Sequence, residues 1–91
     1  MTGLKIAIIG AGSSYTPELI EGLIQRRHEL LLRELWLVDI DAGREKMAII
    51  AALTRRMLAR AGLMLPVFET LNRREALLGA DFVCSQFRAG C

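Results

Sequence analysis

The sequence predicts an α/β fold with an open, parallel β-sheet, and three observations support this prediction. Short apolar runs alternate with longer amphipathic segments along the 91 residues, in the order βαβαβαβ. The first run is apolar at nearly every position, as in strands that are buried on both faces of a parallel sheet. A glycine-containing turn joins that run to the first helical segment. Because crossovers between parallel strands are right-handed, we expect the strand order 3-2-1-4, with helices on both faces.

The first strand and the first helix are defined by an apolar run and a proline. The strand is predicted over Leu4–Ile9. The helix is expected to start at Pro17, with Thr16 as its N-cap, because proline suits the first turn of a helix. Apolar residues continue at helical spacing as far as Leu31, which indicates one long helix whose apolar side packs on the sheet.

The second strand and helix follow the same logic. The strand is predicted over Glu34–Asp39. Asp41 is expected to cap the following helix, which should end before Gly62. Pro66–Thr70 is a third and weaker strand, and its proline restricts it to a strand start or a sheet edge.

The last predicted elements are a short helix and a fourth strand. Asn72 has the character of an N-cap, and Gly79 is expected to end the helix. The fourth strand is predicted over Phe82–Phe87. Its outer edge has no neighbour in this sequence, so we expect self-association and a homo-oligomer.

Composition excludes several classes of function. Twelve Lys and Arg residues against ten Asp and Glu give a net charge of +2, too little to attract nucleic acid or an anionic membrane. Paired arginines such as Arg55 and Arg56 are interpreted as solvated helix faces. No apolar run approaches the roughly 20 residues that cross a bilayer, and no signal peptide is present, so we expect a cytoplasmic location. Cys84 and Cys91 are expected to be free thiols, because an extended strand would hold them too far apart to bond.

The turn after the first strand is a candidate phosphate-binding site. It contains Gly10 and Gly12, and the hydroxyls of Ser13 and Ser14 follow. Glycines let the backbone approach a pyrophosphate, and the start of the next helix offers free N–H groups. Tyr15 stands where the usual fingerprint has a third glycine, so we expect the serine hydroxyls to compensate as donors. The alternative is a tight turn with a structural role only.

Asp39, at the end of the second predicted strand, is a candidate ribose-binding residue. A carboxylate there accepts hydrogen bonds from the ribose hydroxyls of an adenosine and repels a 2′-phosphate, which favours NAD over NADP. The alternative is a helix cap, for which Asp41 is the better candidate. The turn and the carboxylate together predict a partial, Rossmann-like NAD-binding domain over residues 1–91.

Arg88 is a candidate substrate contact, because it follows the fourth strand at the same edge of the sheet. A guanidinium there can bind a carboxylate or a phosphate, although a solvated arginine is the alternative. No cluster of Cys, His and carboxylates has metal-ligand spacing, and no Ser, His and Asp set can be assembled. The sequence therefore predicts a cofactor site without catalytic residues of its own.

Five segments carry a resemblance to a known family: residues 5–19, 34–39, 73–77, 79–83 and 86–88. The most specific is Gly12–Leu19, in which Ser-Ser-Tyr-Thr-Pro-Glu-Leu follows the dinucleotide turn. Together the segments resemble the amino-terminal part of the family 4 glycoside hydrolases, in particular the 6-phospho-β-glucosidases. The resemblance covers nearly the whole sequence.

The resemblance implies glycoside hydrolysis by oxidation, elimination, addition of water and reduction, with NAD and a divalent metal, usually manganese. It also implies a phosphorylated sugar as substrate. It places these residues at the ligands: Gly10, Gly12, Ser13 and Ser14 at the pyrophosphate, Asp39 at the ribose, and Arg88 near the nicotinamide and the sugar phosphate. The family's metal-binding Cys and His and its proton-abstracting Tyr lie downstream, so the 91-residue segment is expected to be inactive alone.

Two other functions remain open from the sequence. One is a stand-alone dinucleotide-binding module, and the other is the front of a lactate- or malate-type dehydrogenase. A Cys and a His placed to bind metal downstream would support the glycosidase, whereas an Arg and His pair would favour the dehydrogenase.

Overall fold

Four parallel strands alternate with three α-helices in the part of the chain that the structure describes. The computed structural model of the chain describes residues 3–11, 16–26, 29 and 31–85. The strands are β1 (Leu4–Ile9), β2 (Leu32–Val38), β3 (Val67–Thr70) and β4 (Phe82–Ser85). The helices are α1 (Thr16–Gln25), α2 (Arg44–Arg60) and α3 (Arg73–Leu77), and a 3-10 turn at Asp41–Gly43 precedes α2. The sheet order is β3-β2-β1-β4, so the predicted α/β fold, its element order and its strand order are confirmed.

The two central strands are buried on both faces. In the parallel register Ile6 pairs with Leu35 and Ile8 pairs with Leu37, and all four side chains lie in the core beneath α1 and α2. The alternate side chains, such as Ala7, face the opposite side of the sheet. Burial on both faces explains why β1 is apolar at nearly every position.

The helices cover the sheet on both sides, as right-handed crossovers require. Ile20 of α1 and Met47 and Ala51 of α2 are buried against β1 and β2 on one face. Ala76 of α3 packs on Ala7 and on β2 at the other face. The chain therefore changes sides between β3 and β4, which leaves the β1–β4 boundary as the point where the winding reverses.

α1 is shorter than predicted. It ends at Gln25, and β2 begins at Leu32 rather than at Glu34. Leu31, which the pattern placed on the apolar side of the helix, is 65% exposed, and its carbonyl accepts a hydrogen bond from the Leu4 N–H. A leucine run fits a helical stripe and a buried strand equally well, and here pairing with β1 decides in favour of the strand.

The predicted cap at Asp41 is wrong, whereas the predicted end of α2 is confirmed. Gly43 is the N-cap residue and no side chain caps the helix. Asp41 instead opens the 3-10 turn and bonds Arg44; that hydrogen bond, and then the carboxylate charge, raise the pKa of Arg44. At the other end Gly62 has φ +78°, and the next N–H donates to the Leu58 carbonyl, as in a Schellman motif.

The predicted cap of α3 is confirmed, and Thr70 extends it. The side chain of Asn72 accepts hydrogen bonds from two N–H groups of the first turn. The Asn72 N–H donates to the Thr70 hydroxyl, which in turn donates to the Glu75 carboxylate over 2.9 Å. In a capping box the N-cap N–H and this glutamate bond directly, whereas here the Thr70 hydroxyl links them. Gly79 follows the helix with φ +73°, as predicted.

Lys5 is buried within β1, which the sequence analysis did not predict. Its Nζ donates to the carbonyls of Glu75 and Leu78 over 3.2 Å and 2.6 Å, and lies 4.6 Å from the ring centre of Trp36. Its backbone N–H donates to the carboxylate of Asp81 over 2.8 Å. Lys5 thereby joins β1 to the end of α3 and to the start of β4.

Arg55 and Arg56 lie on an exposed face of α2, as the interpretation of the paired arginines expects, but Arg55 also contacts the sheet. Its guanidinium donates to the Val67 carbonyl over 2.7 Å and pairs with Glu69 over 3.1 Å. Both partners belong to β3, which is the edge strand that its proline predicted. One arginine of α2 therefore fastens the edge of the sheet.

Cys84 corrects the prediction of free thiols, because it is disulfide-bonded in the structure. That prediction took the two cysteines to lie far apart along an extended strand predicted as far as Phe87, whereas β4 ends at Ser85. Cys91 lies outside the described residues. Within the described part of the chain, no helix is long and apolar enough to cross a membrane.

Candidate cofactor site

The carboxyl ends of β1 and β2 border a cavity of about 320 Å³. The cavity is lined by Ile9, Gly10, Val38, Asp39, Ile40, Leu71 and Arg73. Ile40 and Leu71 follow β2 and β3, and they are 72% and 43% exposed. Apolar side chains left open beside a few polar groups are typical of ligand sites.

The turn after β1 is fastened to the end of β2. Gly10 has φ +77°, a conformation that glycine adopts without strain. The N–H groups of Gly10 and Ala11 both donate to the Val38 carbonyl, over 2.8 Å and 2.9 Å. The Gly10 amide is therefore engaged within the fold, and the contribution of this glycine is the shape of the turn.

The start of α1 is tied to the same turn. The buried hydroxyl of Thr16 donates to the Ala11 carbonyl over 2.9 Å, and Thr16 is the first residue of the helix. This bond places the helix start beside the carboxyl end of β1. Three predicted phosphate contacts, Gly12, Ser13 and Ser14, lie outside the described residues.

Asp39 lies directly after β2, close to the strand end at which it was predicted, and lines the cavity. Its Oδ1 accepts the Ile40 N–H over 2.7 Å, and its own N–H donates to the Thr70 carbonyl over 3.3 Å. The side chain is half-buried and packs against the backbone of Gly43. The local backbone and the following turn therefore hold the carboxylate at the cavity.

Arg73 is a lining residue that the sequence analysis missed. It is the first residue of α3 and is exposed, and it makes no ion pair with any residue that the structure describes. The cavity thus carries one anionic and one cationic side chain. The signal available in the sequence was position, since Ile40, Leu71 and Arg73 all follow strands that end at this edge.

The predicted substrate contact and the metal are not found among the described residues. Arg88 lies outside them. Within them, no three His, Cys, Asp or Glu residues come close enough to hold a metal ion.

The parallel sheet with order 3-2-1-4, the glycine turn after β1 and the carboxylate after β2 define a Rossmann-like α/β fold. The chain belongs to the family 4 glycosyl hydrolases, whose family model matches residues 5–91. The predicted family resemblance is thereby confirmed. The match to this family also sets aside the dehydrogenase alternative.

Similar proteins agree with this family. The chain is 58% identical over 88 residues to a probable 6-phospho-β-glucosidase of Bacillus subtilis and 55% identical over 87 residues to a 6-phospho-β-glucosidase of Escherichia coli. These alignments cover 97% and 96% of this chain, but 20% and 19% of the relatives. The chain therefore spans about a fifth of the length of these relatives.

Solved structures with the same fold contain the ligands that the resemblance implied. A 6-phospho-α-glucosidase from gut microorganisms, in complex with NAD and glucose-6-phosphate, matches with a TM-score of 0.86 at 33% identity, over 97% of this chain and 20% of that one. The Thermotoga maritima 6-phospho-β-glucosidase with manganese, NAD+ and glucose-6-phosphate matches with a TM-score of 0.81 at 34% identity, over 93% and 20%.

Proposed function

We propose that this chain is the NAD-binding segment of a 6-phospho-β-glucosidase, in which residues 1–91 form part of the cofactor domain. The observation that carries the proposal is the cavity beside Asp39, with its exposed apolar flanks. Its volume of about 320 Å³ falls at the lower end of the range for small-molecule sites. The preference for β-glucosides is supported by sequence identities of 58% and 55% to two relatives that are named for that activity.

The lining residues suit the adenosine half of NAD. The Asp39 carboxylate accepts hydrogen bonds from the ribose hydroxyls, and a 2′-phosphate at that place would meet its negative charge. Ile40 and Leu71, which line the same cavity, offer apolar surface to the adenine. The turn at Gly10 directs the chain toward the pyrophosphate, which Gly12, Ser13 and Ser14 contact.

When bound, NAD would accept a hydride from the sugar and later return that hydride. The part of this chain in that chemistry is to bind and orient the cofactor, and Arg88 is proposed to bind the sugar phosphate. The ligands of the divalent metal, manganese in this proposal, would come from the rest of the enzyme. Phosphorylated sugars are charged and do not cross membranes unaided, so we place the enzyme in the cytoplasm. We also propose that the enzyme is a homo-oligomer.

The cofactor assignment is tested by calorimetric titration of the chain with NAD and with NADP. We expect NAD to bind, more weakly than to a complete enzyme, and NADP to bind less well than NAD. Asp39→Asn should weaken NAD binding about tenfold or more, since a hydrogen bond to a charged group contributes roughly 1.5–3 kcal/mol.

Asp41→Asn is the matched control, because Asp41 is an exposed carboxylate two residues away that does not line the cavity. It should leave NAD binding unchanged. Equal effects of the two substitutions, or no NAD binding by the unmodified chain, would contradict the assignment.

The enzymatic part of the proposal requires a longer protein. We suggest replacing the corresponding segment of the E. coli relative with this chain and measuring hydrolysis of a chromogenic 6-phospho-β-glucoside. Activity that depends on added NAD and Mn²⁺ is expected, and Asp39→Asn in the chimera should raise the NAD concentration needed. A folded, metal-binding chimera without activity at saturating NAD would contradict the proposal.

A further inference from the structure

Gly43 is a glycine for a reason that its backbone conformation does not supply. Its φ of −99° and ψ of 5° are open to other residues, so no left-handed conformation demands glycine here. Gly43 ends the 3-10 turn and is the N-cap of α2, a position at which Ser, Asp or Asn are preferred because their side chains bond the first N–H groups. Glycine is also accepted at N-caps, but here the space left by its missing side chain is occupied by a neighbour.

That neighbour is the carboxylate of Asp39. A Cβ built on Gly43 would lie 2.5 Å from the Asp39 Cγ and 2.6 Å and 2.7 Å from its two oxygens. These are its three nearest heavy atoms, and no other atom of the fold comes closer. Non-bonded carbons are optimally about 3.5–4.0 Å apart, so any side chain at this position requires the carboxylate to move by about 1 Å.

The Asp39 carboxylate can move, because it is the end of a side chain and not part of the backbone. One side of it is held by the Ile40 N–H at 2.7 Å, and the adjacent face lies against Gly43. Displacing it leaves the sheet and α2 in place but carries the oxygens away from the position they occupy on the cavity wall. A substitution at Gly43 is therefore expected to act mainly on the site, with a small cost at the N-cap.

We propose that Gly43 is a positioning residue that sets the preference for NAD over NADP. This inference rests on the proposed function, in which Asp39 accepts the ribose hydroxyls. With the carboxylate displaced, these hydrogen bonds lengthen and the repulsion of a 2′-phosphate weakens. Arg73, which lines the same cavity, then attracts such a phosphate without competition.

The test compares Gly43→Ala with Gly22→Ala, a matched change in α1 at which a built Cβ meets no atom within 4 Å. NAD and NADP are titrated calorimetrically, and urea unfolding reports stability. For Gly43→Ala we expect about tenfold weaker NAD binding and equal or tighter NADP binding, because one lost charge-assisted hydrogen bond corresponds to about tenfold. The urea midpoint should fall only slightly, because alanine is a poorer N-cap residue than glycine. Gly22→Ala should leave the affinities for both dinucleotides unchanged.

Asp39→Asn, measured alongside, distinguishes a failure of the inference about Gly43 from a failure of the ribose assignment of Asp39. If Asp39→Asn weakens NAD binding and Gly43→Ala does not, the inference about Gly43 is wrong and the ribose assignment stands. If neither substitution weakens NAD binding, the ribose assignment fails. Equal losses of NAD and NADP affinity in Gly43→Ala, or a loss of stability that accounts for them, would show general damage and overturn the inference.

Discussion

The buried ammonium of Lys5 predicts a large and testable contribution to stability. Lys5→Met keeps the length of the side chain and its apolar stem but removes the donor to the carbonyls at the end of α3. Each of the two hydrogen bonds, at 2.6 Å and 3.2 Å, comes from a charged group and is worth roughly 1.5–3 kcal/mol. The contact with Trp36 at 4.6 Å adds about 0.5–1 kcal/mol.

Two effects offset part of this sum. Methionine does not carry the desolvation cost of a buried ammonium, and the freed carbonyls lie at an exposed helix end where water can reach them. We therefore expect Lys5→Met to lower the free energy of unfolding by about 2–3 kcal/mol. The loss should appear as a lower urea midpoint with an unchanged slope.

Lys46 provides the matched control, because it is the other lysine of the chain and is exposed on α2. Lys46→Met should change the free energy of unfolding by no more than about 0.5 kcal/mol. If Lys5→Met unfolds at the same urea concentration as Lys46→Met, the hydrogen bonds of Lys5 contribute nothing net and the reasoning is refuted.

Three further predictions concern the core, the sheet edge and assembly. Thr54→Val should stabilise the chain by about 1 kcal/mol in thermal unfolding, because the buried Thr54 hydroxyl has no hydrogen-bond partner among the described residues; a loss of stability would show that the hydroxyl is satisfied. Arg55→Ala should speed hydrogen exchange in β3 whereas exposed Arg56→Ala should not, and equal rates in both variants would dismiss the anchoring role of Arg55. Sedimentation velocity should show concentration-dependent association through the outer edge of β4 that Val83→Lys reduces; a monomer at every concentration would contradict it.

The sheet could be predicted because its signals are local. β1 is apolar at nearly every position, Asp39 follows β2, and Asn72 precedes α3. A signal within a few residues therefore indicates each of these elements. The strand order then follows from the handedness of crossovers. The end of α1 could not be predicted, because leucines before β2 satisfy two periodicities and only pairing with β1 distinguishes them.

The candidate site and the burial of Lys5 could be predicted only in part, because they depend on contacts that are distant along the chain or follow no sequence pattern. Asp39 was predicted from its place after a strand. Lys5 could not be distinguished from an ordinary strand residue, because the carbonyls that accept hydrogen bonds from its ammonium group lie 70 and 73 residues away in the sequence. Gly43 belongs to no motif, and its importance depends on where the side chain of Asp39 points.

The carbonyl of Val38 has a consequence for how the cofactor site responds to change. It accepts both amides of the turn after β1, and the next residue is Asp39. The turn proposed to face the pyrophosphate and the carboxylate proposed to face the ribose are therefore both attached to one peptide unit. A disturbance at the end of β2 should therefore alter the contacts with both the ribose and the pyrophosphate. Substitutions in the turn after β1 and at Asp39 are expected to be coupled in double-mutant cycles.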